Sequence, residues 1–144
     1  MFTISTMGLD DYDAVMDLMR GTPGVSIRDA DSRASTARYL ARNPGLSFVA
    51  RIGDETVGCI MSGHDGRRGY LQHLVVAQQY RRQGIANALV GSCVAALAVL
   101  GIHKSHIDVL KTNPDASAYW EHQGWHLRTD IHRYSFIHGG SENV

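Results

Sequence analysis

The residues whose types and spacing suit chemistry cluster in LVVAQQYRRQGIANALV, Leu74 to Val90. A β-branched apolar run gives way to a polar basic loop, and the loop to an alanine-rich segment that begins at a glycine. Read as strand, loop and helix start, Arg81-x-x-Gly84-x-Ala86 gathers backbone N–H groups and the positive end of a helix dipole at one point, where an anion binds. Gly84 lets the backbone approach that anion without a Cβ in the way, Ala86 keeps the first turn slim, and Arg81 and Arg82 add charge. A glycine placed there for steric reasons alone is the competing reading. The spacing matches neither the G-x-x-x-x-G-K-[ST] nucleotide loop nor the G-x-G-x-x-G dinucleotide turn.

Other polar clusters carry less. His122 and His126 are four residues apart, but Gly124 between them breaks the helix a zinc site would need, and with no third ligand evident no metal is expected. His64, Asp65, Arg67 and Arg68 form either a solvated turn between strands or part of a groove rim. Asp29 and Asp31 stand before a second helix, where Asp31 or Ser32 serves as its cap or the acidic pair attracts a cation. Cys59 and Cys93 are too few for a disulfide framework and lack zinc-site spacing, so they read as buried thiols in a reducing compartment.

These groups need elements to hold them. FTIS reads as a short strand, and LDDYDAVMDLM repeats Leu9, Tyr12, Val15, Met16 and Met19 at helical spacing until Gly21 and Pro23. A second helix runs to about Asn43, ahead of Pro44 and Gly45. LSFVARI and TVGCIMSG flank the hairpin signal Gly53-Asp54-Glu55, and YLQHLVV supplies a third antiparallel strand. The long helix after Gly84, with Ile85, Leu89, Cys93, Ala96 and Leu100 at helical spacing, ends at Gly101. SHIDVL then reads as a strand, Asp115 to Gln123 as a short helix stopped by Gly124, WHLRTDIHRYSFI as a last strand or two, and residues 138–144 as a tail.

Composition sets the outer bounds. A chain of 144 residues is the size of one domain, and with no repeat or linker we expect a single mixed α/β domain over residues 1–144. Fourteen basic and fourteen acidic residues cancel, which gives no global field toward nucleic acid or an anionic membrane. Residues 83–103 contain no Lys, Arg, Asp or Glu, a length that would span a bilayer, but their Ala and Gly content and helical spacing favour a helix buried on a sheet. The N-terminus shows no basic leader followed by an apolar run, so a cytoplasmic location is expected.

The order of these elements and two of the motifs resemble the GNAT superfamily of N-acetyltransferases, and the likeness covers essentially the whole chain. VVAQQYRRQGIANALV is similar to its coenzyme-binding motif, NPDASAYWEHQGW to a second motif of the pattern N…A…FY-x-x-x-G-F, and GHDGRRGYLQHLVV to the loop and strand ahead of the first in small bacterial members. The resemblance implies a central mixed, mostly antiparallel sheet splayed at the acetyl-CoA site and flanked by helices. It implies that the pyrophosphate lies on the amides of Arg82, Gln83, Gly84, Ile85 and Ala86, next to Arg81. It also implies that the pantetheine arm pairs with Leu74, Val75 and Val76, and that Asn113 falls near the thiol, at the mouth of the splay.

The family's tyrosine acid stands four residues before the second motif's glycine, where this chain has Trp120. An indole has no usable acidity, although it can pack along the coenzyme, and Tyr119 beside it is either a core aromatic or a displaced acid. Relatives often carry an acidic residue in the strand position of Gln72 and His73. Gln72 cannot take a proton, whereas His73 can near neutral pH and is the candidate base, or else shapes the pocket by hydrogen bonding.

The resemblance thus implies an acyltransferase moving an acetyl group from acetyl-CoA directly to a primary amine in a ternary complex, without an acetyl-enzyme. The alternative is a non-catalytic acyl-CoA-binding sensor or interaction module. Expected partners are acetyl-CoA and an amine-bearing small molecule or peptide, with no nucleic acid and no membrane, in a monomer or homodimer. Amino acid, peptide N-terminus, lysine side chain, polyamine and aminoglycoside all remain open as acceptors.

Overall fold

The computed structural model describes residues 1–144, whose contacts divide the chain into two units, Met1–Ile107 and Asp108–Val144. In the first unit, β2 (Phe48–Ile52) and β3 (Glu55–His64) form an antiparallel hairpin across the two-residue loop Gly53-Asp54. β1 (Thr3–Thr6) pairs antiparallel with β2 on one side, and β4 (Gly69–Val76) pairs antiparallel with β3 on the other. β5 (Ser105–Ile107) lies parallel to β4 at the far edge, which completes a five-stranded sheet in the order β1-β2-β3-β4-β5.

One face of the sheet is covered by α1 (Tyr12–Arg20) and α2 (Arg33–Arg42). Val15, Met16 and Met19, the stripe expected from helical spacing, pack there with Val49, Cys59, Met61 and Val75 of the strands. Ser32 caps α2 by accepting the Ser35 N–H, so the capping role goes to Ser32 and the Asp31 carboxylate is left for another partner. The opposite face carries α3 (Ile85–Val99), which buries Ile85, Leu89, Cys93 and Leu97. The stripe follows Leu97 rather than Ala96 and Leu100; the helix has ended at Leu100, whose side chain is exposed. Close approach of α3 depends on Gly58, where an added Cβ would lie 3.2 Å from both Ile85 and Leu89 side-chain carbons. No helix is long and apolar enough to cross a membrane.

In the second unit, Asn113 caps α4 (Pro114–His122) by accepting the Ala116 N–H at 3.2 Å, and Pro114 takes the first turn, where its missing N–H costs nothing. Trp120 is buried, with edge contacts to Trp125 and Tyr119. The sequence expectation of a last strand or two in WHLRTDIHRYSFI fails: residues 125–137 form no strand, and Tyr134 and Phe136 stand 89% and 87% exposed. Aromatic and β-branched residues favour a pleated, half-buried surface, and that preference makes a strand only where a neighbour completes the ladder. SHIDVL likewise contributes only Ser105–Ile107 to the sheet.

Candidate active site

β4 organises the site because it breaks its pairing on both edges. Along β3, Cys59 faces Val75 and Met61 faces Gln72, so two steps on β3 match three on β4 and the extra residue falls at His73 and Leu74. His73 takes φ of 54°, the left-handed region that a non-glycine residue seldom occupies. A bulge of this kind re-aims a side chain out of the strand's alternation. Here it turns His73 toward the segment before α2, where Nε2 lies 2.7 Å from Asp31 Oδ1.

Both side chains are largely enclosed, at 15% and 12% exposure. Asp31 is the last residue of a 3₁₀ turn, Asp29–Asp31, and every polar atom it has is engaged. Its Oδ2 accepts the Arg28 N–H at 2.8 Å, its carbonyl oxygen accepts the Tyr12 hydroxyl at 2.6 Å, and its own N–H donates to the Arg28 carbonyl. Burial alone would raise the Asp31 carboxyl, but the hydrogen bonds from His73 and the Arg28 amide hold it below the ordinary carboxylate range. Gln72 hydrogen-bonds Tyr39 of α2, whose phenol burial pushes up.

On its other edge β4 loses its neighbour. The parallel pairing with β5 covers only Gly69, Tyr70 and Leu71, whereas the pairing with β3 runs on to Val76. Leu74, Val75 and Val76 therefore present a backbone edge that β5 does not cover, with the Val75 and Val76 side chains buried. The strand then enters the basic loop. Arg81 folds back so that Nε donates to the Val76 carbonyl at 3.1 Å, which closes the turn from strand to helix. Arg82 and Gly84 are both left-handed, at φ of 64° and 86°.

Gly84 is the residue before α3, and no side chain caps that helix. The N–H groups of Arg82, Gln83, Gly84, Ile85 and Ala86 donate to no backbone carbonyl. Bare amides at the start of a fifteen-residue helix, beside the exposed Arg81 and Arg82, form an anion cradle of the kind a pyrophosphate fits.

Several sequence candidates have local structural roles. Asn113 spends its carboxamide oxygen on the α4 cap, and Trp120 is 6% exposed against Trp125. Burial raises the Tyr119 phenol above its ordinary value. His64 and Asp65 stabilise their own turn: Asp65 Oδ1 accepts the N–H groups of Arg67 and Arg68, and His64 Nδ1 that of Gly66. Cys59 and Cys93 are free and buried, and burial pushes their thiols up to about 12 and about 11. Sequence reasoning missed the pairing of Asp31 with His73, together with the supporting Arg28 and Tyr12. The one available signal was an acidic residue before a helix that already had a serine to cap it.

Comparison with known proteins bears on the family and the fold. The profile of the Acetyltransferase (GNAT) family matches residues 12–125. An acetyltransferase of Photorhabdus laumondii is 36% identical over 114 residues, 76% of this chain and 76% of that protein. One from Pectobacterium atrosepticum is 33% identical over 112 residues, 78% of this chain and 79% of the relative. The fold matches the crystal structure of the PaiA N-acetyltransferase from Thermoplasma acidophilum in complex with coenzyme A, with a TM-score of 0.76 over 85% of this chain and 88% of that one at 14% identity. A mixed sheet whose fourth strand runs into a bare helix start, carried by a sequence that matches the profile over most of its length, establishes that this chain belongs to the GNAT family of acetyltransferases.

Proposed function

We propose that this chain moves an acetyl group from acetyl-CoA to a primary amine by direct transfer within a ternary complex. The observation that carries the reading is the continuous backbone path from the uncovered β4 edge, Leu74 to Val76, into the uncapped amides of Arg82 to Ala86. An uncharged arm pairs with the first, and a pyrophosphate sits on the second. The thioester supplies the acetyl group: the amine nitrogen forms the new C–N bond, the C–S bond breaks, and the thiolate leaves with its electron pair. The chain aligns the reactants, offers β4 main-chain N–H groups to the developing oxyanion, and accepts the amine proton at His73.

The cysteines support direct transfer. Both thiols are buried and raised well above neutral pH, so neither is a nucleophile that would carry the acetyl group. The acceptor is an amine-bearing small molecule or peptide, and the two unpaired thiols suit a reducing cytoplasm.

The test is release of free coenzyme thiol from acetyl-CoA across a panel of amines, with calorimetry of acetyl-CoA binding in parallel. Thiol release that depends on one amine class supports transfer. Tight binding with no release for any amine would instead make the chain an acyl-CoA-binding module.

A further inference from the structure

We propose that Asp31 is a positioning residue for this transfer: its carboxylate holds the His73 ring in the tautomer that leaves Nδ1 as the proton acceptor. The effect on rate rests on the acetyl-transfer reading, whereas the tautomer is a property of the chain itself. An ionised carboxylate only accepts hydrogen bonds, so at 2.7 Å the His73 Nε2 must be the donor. A neutral imidazole with its proton on Nε2 carries its lone pair on Nδ1. That nitrogen makes no hydrogen bond within the chain, and since no fully buried side-chain nitrogen or oxygen goes unpaired, Nδ1 keeps some solvent contact, as accepting a proton from a bound amine requires.

The partners of Asp31 make it a rigid orienter. Arg28 N–H on Oδ2, the Tyr12 hydroxyl on the carbonyl and the Arg28 carbonyl on the N–H fix the residue from three directions. His73 is fixed as firmly. Its carbonyl accepts the Cys59 thiol at 3.4 Å, and its left-handed backbone, a conformation a non-glycine residue seldom adopts, is what aims the ring at Asp31. A base whose second nitrogen is held by a carboxylate is the usual arrangement by which a histidine is kept in one tautomer for catalysis.

Asp31→Asn tests this because the Arg28 N–H dictates which way the new amide points. The asparagine oxygen must face that N–H, which turns the NH₂ group toward His73 Nε2. Two donors cannot face each other, so the ring proton moves to Nδ1 and the lone pair turns away from the amine. Nitrogen-15 NMR of the His73 ring, recorded where the imidazole is neutral, should show Nε2–H in the unmodified chain and Nδ1–H in Asp31→Asn. With the best amine from the panel, kcat should fall on the order of 10²–10⁴-fold, while acetyl-CoA affinity holds. Adding His73→Gln to Asp31→Asn should lower the rate little further, since the two act as a unit.

A folded Asp31→Asn enzyme whose rate stays within a few-fold overturns the proposal. So does an Nδ1–H tautomer in the unmodified chain, a result that decides the matter even where Asp31→Asn fails to fold. If the unmodified chain releases no thiol with any amine, the acetyl-transfer reading falls and takes the catalytic role of Asp31 with it; a wrong tautomer in an active enzyme removes Asp31 alone.

Discussion

On the proposed reading His73 takes the amine proton, and the charge states of its neighbours are fixed. Asp31, held below the ordinary carboxylate range, stays charged through neutral pH, and Cys59, pushed up to about 12, stays protonated. If His73 takes the amine proton it must be neutral, so kcat/KM should rise with pH through a single ionisation beyond that of the amine itself. His73→Gln should delete that limb and cost on the order of 10²–10⁴-fold, mainly in kcat, with acetyl-CoA affinity unchanged. A folded mutant that keeps the limb would show that another group is the base. The histidine itself was legible in the sequence because it lies within a recognisable strand, β4. Asp31 was not, because the contact spans 42 residues and depends on a bulge whose position is set by the β3 register, which no local pattern announces.

At the scale of the element, the junction of β4, loop and α3 was the most legible part of the chain, since glycine at a left-handed helix start and small residues after it are local requirements. The strands expected after Trp125 failed because pairing is non-local. The junction carries its own prediction. At Gly84 an added Cβ meets nothing within 4 Å, so Gly84→Glu pays only for the left-handed backbone, about 1–2 kcal/mol, and leaves the fold intact. It also sets a carboxylate on the amides meant for a pyrophosphate. Acetyl-CoA binding should be abolished by calorimetry while circular dichroism is retained. Unchanged affinity in the folded mutant would take the pyrophosphate away from this helix.

For the whole molecule, the sequence conveyed mixed α/β architecture through its alternation of periods, and the balanced charge directed attention from nucleic acid to a small ligand. Binding that engages a strand edge, a loop and a helix start should appear as global stabilisation, because these groups are arrayed together only in the folded chain. A ligand that binds the native state alone stabilises it by RT ln(1 + [L]/Kd), about 2.7 kcal/mol at a hundredfold excess over Kd. For a chain of this size that corresponds to a rise in Tm of roughly 5–10 °C. Acetyl-CoA should produce such a shift with the unmodified chain and none with Gly84→Glu. Acetyl-pantetheine, which has the uncharged arm and lacks the pyrophosphate, should at the same concentration give a smaller shift, since the β4 edge is then engaged without the cradle. Equal shifts from the two compounds would mean that the amides of Arg82 to Ala86 contribute nothing to binding, and the cradle would have to be assigned another purpose.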